Sequence, residues 1–206
     1  RVLIYFNPFL LDATKKEDAT RNLFVEAKEK DFLVKKEDGS VYLIDQGGFE
    51  AGLIDFTNEK ARTFVKEIMR EQVDLGVSGW MADFAEALPY DAVLASGEPA
   101  PSYHNRYAYE WAKLNREMIE EAGKFDDFLF FSRSAWTLSP GVTRLFWLGD
   151  QTVSWDEYDG IKTVLPSMLS SGLSGFSLQH SDVGGYLSVS VGSATVNRSK
   201  ELFQRQ

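Results

Sequence analysis

The chain has 206 residues, 44% of them hydrophobic, and its 22 lysines and arginines stand against 31 aspartates and glutamates, giving a net charge of −9. This length and apolar content are typical of one large folded domain, and the acidic balance argues against nucleic acid as a partner, because phosphate binding requires clustered cations. The sequence has no cysteine, only 2 histidines and no apolar run approaching the ~18 residues of a membrane span, which excludes disulfides, thiolate or histidine-rich metal sites and a spanning segment.

Short apolar runs alternate with segments of helical periodicity along the chain. A tight-turn pair, Asp38-Gly39, lies between two apolar runs and predicts a hairpin. Further along, a periodic apolar stripe predicts a helix that is capped by Thr57 or Asn58 and ends at Gly76. In chain order we predict a strand over 2–6, a hairpin insertion near 30–48, a helix over 58–75, a strand over 77–84, a long loop near 85–101, a helix over 102–122, strands over 128–131 and 145–148, a helix over 156–171, a strand from 176 and a helix from 198.

Almost wholly apolar strands that alternate with helices are typical of a parallel sheet covered by helices. Two folds fit this pattern, a doubly wound sheet and a (β/α)8 barrel. No G-x-G-x-x-G sequence follows any strand, which argues against the dinucleotide-binding form of the doubly wound sheet. We count five core strands where a complete barrel needs eight, so a barrel would be incomplete in this chain.

Acidic, basic and aromatic side chains collect where the predicted strands end, which is where both folds place their catalytic groups. Asp83 and Asp150 each follow an apolar strand, and the period of two puts Asp83 with Met81 on the face opposite Trp80. We therefore expect the two aspartates to face each other across one pocket. Paired carboxylates are the groups that hydrolyse glycosides, with retention at a separation of about 5–5.5 Å and inversion at about 6.5–9.5 Å, and the sequence leaves both outcomes open.

A structural interpretation stands beside the catalytic one. An aspartate at a strand end often caps a loop or pairs with a cation, Arg133 would be the partner in an ion pair, and His180 would be a hydrogen-bonded core residue. Two such aspartates on alternate strands, each near a tryptophan, favour the catalytic interpretation.

Three segments, 79–86, 147–151 and 180–186, together with Asn7-Pro8 and His104-Asn105, resemble glycoside hydrolase family 31 and, within it, most closely the sulfoquinovosidase branch. The resemblance covers essentially the whole chain. It implies a partial (β/α)8 barrel, about strands 3 to 7 with their helices and truncated at both ends. Residues 1–206 would then be a fragment of the catalytic domain that includes the hairpin insertion and a long active-site loop near 85–101.

The resemblance also implies a retaining α-glycosidase that hydrolyses α-sulfoquinovosides, such as sulfoquinovosyl glycerol or glycosides derived from the sulfolipid, through a covalent glycosyl-enzyme intermediate. In it Asp83 matches the nucleophile and Asp150 the general acid/base, whose pKa we expect burial near Trp147 and the charge of Asp83 to raise. No cofactor and no metal are implied. The positions that line the subsite for the reacting sugar are matched by Arg133, Trp147, His180, Asp182 and Tyr186, the last corresponding to a tyrosine that helps to hold the sulfonate.

The chain departs from the family pattern at Ala85, where glycine is usual, so the turn after the nucleophile would be strained if it requires a positive φ. The sulfonate-binding arginine and tryptophan of the branch would lie upstream of Arg1. We expect the chain to begin inside a longer protein, because it has no initial methionine and starts in an apolar run. We expect a cytoplasmic location, because this segment has no signal peptide and no cysteine.

Two alternatives from the sequence remain. One is a family 31 glycosidase that acts on neutral α-glucosides. The other is a catalytically incompetent barrel fragment or sugar-binding remnant. For the isolated 206 residues we expect no activity and poor solubility, because missing strands would leave open sheet edges.

Overall fold

The computed structural model of the protein describes residues 1–191 and 194–206, and the chain divides into two compact units. The first comprises Arg1–Phe130 and Ser134–Val142, and the second Phe131–Arg133 and Thr143–Gln206. Parallel strands alternate with helices in both, which confirms the α/β class predicted from the sequence.

Short strands and mostly longer helices make up the described residues. The strands are β1 Leu3–Phe6, β2 Phe9–Leu10, β3 Leu43–Asp45, β4 Glu50–Leu53, β5 Gly79–Ala82, β6 Leu129–Ser132, β7 Leu145–Trp147, β8 Gln179–His180, β9 Val189–Val191 and β10 Ala194–Val196. The helices are α1 Leu23–Glu29, α2 Glu59–Asp74, α3 Ala100–Glu121, α4 Ile161–Leu173 and α5 Lys200–Arg205, with a short 3-10 helix at Ser139–Gly141. Within the described ranges, no helix combines the length and the apolar character that crossing a membrane requires.

Parallel pairing brings strand ends together in each unit. In the first unit β1 lies beside β5 with Tyr5 opposite Met81, and the Leu129 N–H at the start of β6 donates to the carbonyl of Ser78 just before β5. In the second unit the end of β6 pairs with β7, and β7 pairs with β8, again in parallel. The carboxyl ends of neighbouring strands therefore lie along one edge of the sheet in each unit, where the sequence concentrates its polar residues.

The core of the first unit lies between the sheet and helices α2 and α3. Trp80 of β5 is fully buried, and its indole Nε1 donates to Asn115 Oδ1 of α3 at 2.7 Å. Ala82 is buried with it, whereas Met81 between them is partly exposed. The strand thus presents alternate residues to the helices, as predicted, and leaves the face of Met81 for the site.

An ion-pair network joins α2 to α3. The buried guanidinium of Arg62 donates to Glu110 at 3.1 Å and to Glu117 at 3.0 Å, and Lys66 lies 2.9 Å from Glu117. Burial by itself raises the pKa of Glu117, but the hydrogen bonds from Lys66 and Arg62 outweigh it and the pKa is lowered. Glu117 therefore stays ionised at neutral pH, and its contribution to stability is present above the ordinary pKa of a glutamate and is lost as the pH falls through its lowered pKa.

The predicted hairpin turn forms, but it is part of a larger antiparallel segment. Asp38 accepts hydrogen bonds from the N–H and the hydroxyl of Ser40, and the Lys36 N–H donates to the Ser40 carbonyl. Further along the chain β4 pairs antiparallel with both β2 and β3. This second pairing and α1 were not predicted, because the segments that form them are short.

Several predicted boundaries are wrong for local reasons. The helix predicted over 58–75 ends at Asp74, and Leu75, which follows it, is 79% exposed. The fourth helix begins at Ile161 rather than at Asp156, whose carboxylate instead accepts N–H bonds from Tyr158 and Asp159 in a turn. Side-chain hydrogen bonds of this kind compete with the helix, and hydrophobic periodicity does not report them.

Candidate active site

Asp83 is the first residue after β5, and both its backbone and its side chain are held. Its N–H donates to the Phe6 carbonyl at 2.9 Å, which extends the pairing with β1 by one residue. The side chain is 6% exposed. Oδ1 accepts the Phe84 N–H at 2.9 Å, and Oδ2 accepts the Tyr5 hydroxyl at 2.8 Å. Each carboxylate oxygen therefore has a hydrogen-bond donor in a fixed direction.

The turn after Asp83 has a backbone conformation that L-residues rarely adopt. Phe84 has φ 59° and Ala85 has φ 84°, so the strand ends earlier than the predicted Phe84. The turn is held by a hydrogen bond from the Ser134 hydroxyl to the Phe84 carbonyl and by an edge contact of the Phe84 ring with Phe9, at 5.4 Å between centroids. The positive φ at Ala85 explains why glycine suits this position. Backbone strain of this kind costs on the order of 1–3 kcal/mol per residue and concentrates at functional sites.

Tyr5 and Asn7 join the site although the sequence did not mark either as a site residue. The Asn7 amide donates to the Tyr5 hydroxyl at 3.2 Å, and the Asn7 side-chain carbonyl accepts the Phe9 N–H at 2.9 Å. A signal was present in the sequence: Tyr5 and Asn7 are two residues apart at the end of an apolar strand, so their side chains share a face. Using it required knowing that this strand lies beside the strand of Asp83.

The segment after the turn, predicted as a long loop near 85–101, has no strand or helix before α3. The buried carboxylate of Asp55 accepts the Ala95 N–H at 2.6 Å, and the backbones of Lys35 and Val93 exchange two hydrogen bonds. These contacts tie the loop to the rest of the first unit. Whether the loop borders a substrate stays a prediction.

In the second unit, Asp150 lies three residues after the end of β7, near Arg133 at the end of β6. Its Oδ2 is 3.9 Å from Arg133 Nη1, and its side chain is 44% exposed. The burial that we expected near Trp147 is therefore not observed. Arg133 thus places a cation beside the Asp150 carboxylate.

Trp147, Asp182 and His180 form a group at the ends of β7 and β8. Trp147 is 2% exposed, and its Nε1 donates to Asp182 Oδ1 at 2.9 Å. His180 Nε2 is 3.9 Å from the same oxygen, and the edge of its ring contacts Phe131. Asp182 Oδ2 is buried and, among the described residues, has no hydrogen-bond partner. An unsatisfied buried carboxylate oxygen is costly, and a ligand hydroxyl would satisfy it.

Tyr186 is held beside the Asp150 segment by its backbone. Its N–H donates to the carbonyl of Gln151 at 2.8 Å, and its side chain is 53% exposed. The preceding pair, Gly184 and Gly185, forms a turn with φ near 80° at both residues. Arg198, which the sequence did not single out, donates to the carbonyls of Gly184, Gly185 and Tyr186. Nothing in the polar tail around Arg198 distinguishes it, so only the folded structure identifies this contact.

Comparison with known proteins places the chain in a family. All of residues 1–206 match the model described as the glycosyl hydrolases family 31 TIM-barrel domain. The chain belongs to glycosyl hydrolase family 31. This assignment accounts for the βα alternation and agrees with the resemblance found in the sequence.

Two curated relatives of this family 31 chain are sulfoquinovosidases. It is 39% identical over 204 residues to the sulfoquinovosidase of Escherichia coli K12 and 40% identical over 191 residues to that of Agrobacterium fabrum C58, covering 98% and 92% of this chain. A family 31 sulfoquinovosidase from E. rectale, solved with the aza-sugar inhibitor IFGSQ, is 40% identical over 98% of this chain, with a TM-score of 0.88. The chain spans 28% of the length of the two curated relatives and 29% of that solved chain.

The predicted site residues fall into two groups. Asp83 belongs to the first unit, and the contact of the two aspartates across one pocket stays a prediction. The members of the second unit are Arg133, Trp147, Asp150, His180, Asp182 and Tyr186. Within that unit the structure brings Arg133 to Asp150, and Trp147 and His180 to Asp182.

The strained turn predicts an unusual response to glycine at Ala85. We expect Ala85→Gly to change the free energy of unfolding by less than about 1 kcal/mol, because relief of the positive φ offsets the lost methyl burial and the added chain entropy. Denaturant unfolding of the full-length protein measures this. The matched control is Ala82→Gly, which removes the same buried methyl at an ordinary φ and should destabilise by about 1–2 kcal/mol. Equal losses in the two variants would contradict the account of the turn.

Proposed function

We propose that this protein is a retaining α-glycosidase that hydrolyses α-sulfoquinovosides. The observation that carries the proposal is 39–40% identity to two sulfoquinovosidases over nearly the whole chain. The two aspartates at strand ends supply the carboxyl pair that glycoside hydrolysis requires. Because the chain spans 28% of those relatives, the activity and the substrate of the whole protein are part of this proposal.

In the first step, the Asp83 carboxylate attacks the anomeric carbon while the bond from that carbon to the leaving oxygen breaks. Asp150 gives its proton to the leaving oxygen, and a glycosyl ester of Asp83 forms. The support for Asp83 as the nucleophile is its fixed backbone, its burial and the donor at each oxygen. A carboxylate held in this way reaches the attack geometry at little entropic cost.

In the second step, Asp150 removes a proton from water, and the resulting oxygen attacks the anomeric carbon of the ester. The bond to Asp83 breaks, its electron pair returns to the carboxylate, and the sugar leaves with retained configuration. Arg133 lies 3.9 Å from Asp150 and places a cation beside the group that acts in this step. The half-exposed side chain of Asp150 can be reached by water.

The sugar would be recognised by the remaining residues of the second unit. Asp182 Oδ2 would accept a sugar hydroxyl, since it is buried without a partner among the described residues. Trp147 would act through its hydrogen bond to Asp182, because its own ring is almost wholly covered. His180 and Arg133 would donate to other oxygens of the sugar, and Tyr186 would donate its exposed hydroxyl to the sulfonate.

Asp83→Asn should abolish turnover of an aryl α-sulfoquinovoside in the full-length protein. The amide has nearly the same shape but cannot form the glycosyl ester, so the expected loss is on the order of 10⁴-fold or more. Initial rates measure this, with an unfolding curve to show that the variant is folded. Substantial residual turnover in a folded Asp83→Asn variant would refute the nucleophile assignment.

Asp150→Asn should affect substrates according to their leaving groups. For an alkyl glycoside, whose leaving oxygen needs a proton, we expect kcat/KM to fall by about 10²- to 10⁴-fold. An aryl glycoside with an acidic phenol needs no proton and should keep most of its kcat/KM. The measurement is kcat/KM over a series of leaving groups, and a uniform loss across that series would count against the acid role.

Tyr186→Phe should weaken discrimination between sulfonated and neutral sugars. We expect KM for an aryl α-sulfoquinovoside to rise about tenfold, because one hydrogen bond to a charged group is lost, with little change for the matching aryl α-glucoside. Tyr158→Phe is the control, since that side chain lies in the same unit and is exposed. A wild-type protein that preferred the glucoside would replace the proposed substrate with a neutral one.

A further inference from the structure

We propose that Tyr5 and Asn7 are positioning residues for Asp83: the Tyr5 hydroxyl, oriented by the Asn7 amide, holds the nucleophile and stabilises it as a leaving group in the second step. The inference rests on the proposed function, because it takes Asp83 as the nucleophile. It assigns a role to two residues, one in β1 and one just after it, for which the sequence analysis predicted no role at the site.

The parallel register places these three side chains together. Tyr5 lies opposite Met81, and two residues further along each strand bring Asn7 level with Asp83. Since alternate residues share a face, Tyr5, Asn7, Met81 and Asp83 lie on one side of the sheet. Phe6, on the opposite face, packs edge-on against the buried Trp80. This contact anchors β1 in the register that brings Tyr5 to the carboxylate.

The direction of each hydrogen bond follows from the donors available. The Phe9 N–H can only donate, so the Asn7 oxygen must face it and the Asn7 NH₂ group must face Tyr5. The Tyr5 hydroxyl thus accepts from Asn7, and its single proton is directed at Asp83 Oδ2. The proton of Tyr5 therefore faces an acceptor oxygen of Asp83.

The hydrogen bond from Tyr5 responds to the charge that Asp83 carries during the reaction. Phe84 N–H donates to one carboxylate oxygen and Tyr5 O–H to the other. The bond from Tyr5 is strongest when the carboxylate carries its full charge. That charge is lost when the glycosyl ester forms, and it returns when water attacks the anomeric carbon and the ester bond breaks. The Tyr5 proton therefore stabilises the departure of Asp83 in the second step.

A purely structural role explains these contacts less well. The Tyr5 side chain is half exposed, so its ring contributes little buried area to β1. The conformation of Asn7 is already fixed by Phe9 and by the proline that follows it. What the two side chains add is a directed donor at one carboxylate oxygen.

The test uses Tyr5→Phe in the full-length protein with an activated aryl α-sulfoquinovoside, whose fast first step leaves the second step rate-limiting. We expect kcat to fall about 10-fold, the effect of losing one hydrogen bond to a charged group, and KM to fall with it. At a substrate concentration below the wild-type KM, intact-protein mass spectrometry during turnover should show more of the glycosyl ester in the variant than in the wild type. Tyr42→Phe is the matched control, because it removes a tyrosine hydroxyl from an exposed aspartate, Asp91, at 3.0 Å.

Asn7→Ala should have a smaller effect on kcat, about 3-fold, because Asn7 acts on the carboxylate through Tyr5. For the same reason the double variant Tyr5→Phe with Asn7→Ala should lose no more than Tyr5→Phe alone. Additive losses in kcat would show that the two residues act independently, and would overturn the proposal that Asn7 acts through Tyr5.

Other outcomes separate the inference from the function on which it rests. A rise in KM with unchanged kcat in Tyr5→Phe would make Tyr5 a substrate contact and overturn the positioning role. Normal kinetics with a lower unfolding midpoint would leave a structural role only and would also overturn it. If Asp83→Asn is inactive while Tyr5→Phe behaves as the wild type, this inference alone fails; if Asp83→Asn stays active, the proposed function fails first.

Discussion

The carboxylate of Asp83 is held at both oxygens at the end of a parallel strand pair, and the interpretation of this chain depends on that constraint. One donor comes from the backbone of its own turn and the other from Tyr5 on the neighbouring strand. A buried charge is tolerated only when it is hydrogen-bonded or paired. Here the same bonds that make burial possible also set the direction of the carboxylate.

The turn that supplies the backbone donor is strained, and its surroundings maintain it. Two consecutive residues, Phe84 and Ala85, have positive φ, and contacts with Ser134 and Phe9 hold them there. If β5 had continued as a regular strand past Asp83, the next side chain would lie on the opposite face of the sheet. The strained turn instead ends the strand and directs an N–H at the carboxylate. The strained backbone lowers the stability of this turn, and in return the turn fixes the direction of the Asp83 carboxylate.

In the second unit, too, a carboxylate near the strand ends is held by a hydrogen bond from another part of the chain. Trp147 and His180 lie at the ends of β7 and β8, and Asp182, just after β8, accepts a hydrogen bond from Trp147 and lies near His180. One oxygen of Asp182 is satisfied by the protein, while the other is buried without a partner among the described residues. In the proposed function, the satisfied oxygen fixes the side chain and the unsatisfied one awaits a sugar hydroxyl. Arg198 stabilises the turn before Tyr186 by donating hydrogen bonds to the carbonyls of Gly184 and Gly185.

The amino-acid sequence by itself was enough to establish the α/β class, the order of the main strands and helices, and the positions of Asp83 and Asp150 at strand ends. Apolar periodicity and the rule that catalytic groups follow strands are local signals, so they can be read without coordinates. The motif resemblance to family 31 added the expected roles. What failed locally were boundaries such as that of the fourth helix, where the hydrogen bonds of Asp156 compete with the periodic pattern.

Which side chains meet depends on the tertiary structure. Tyr5 and Asp83 are 78 positions apart, and they touch because the parallel register sets Tyr5 opposite Met81. The positive φ of Ala85 and the clamp by Arg198 likewise depend on contacts from distant segments. A periodic pattern records which face a residue occupies, but it carries no information about the neighbour across the sheet. That neighbour is selected by packing, and at Asp83 the selected neighbour supplies the hydrogen bond.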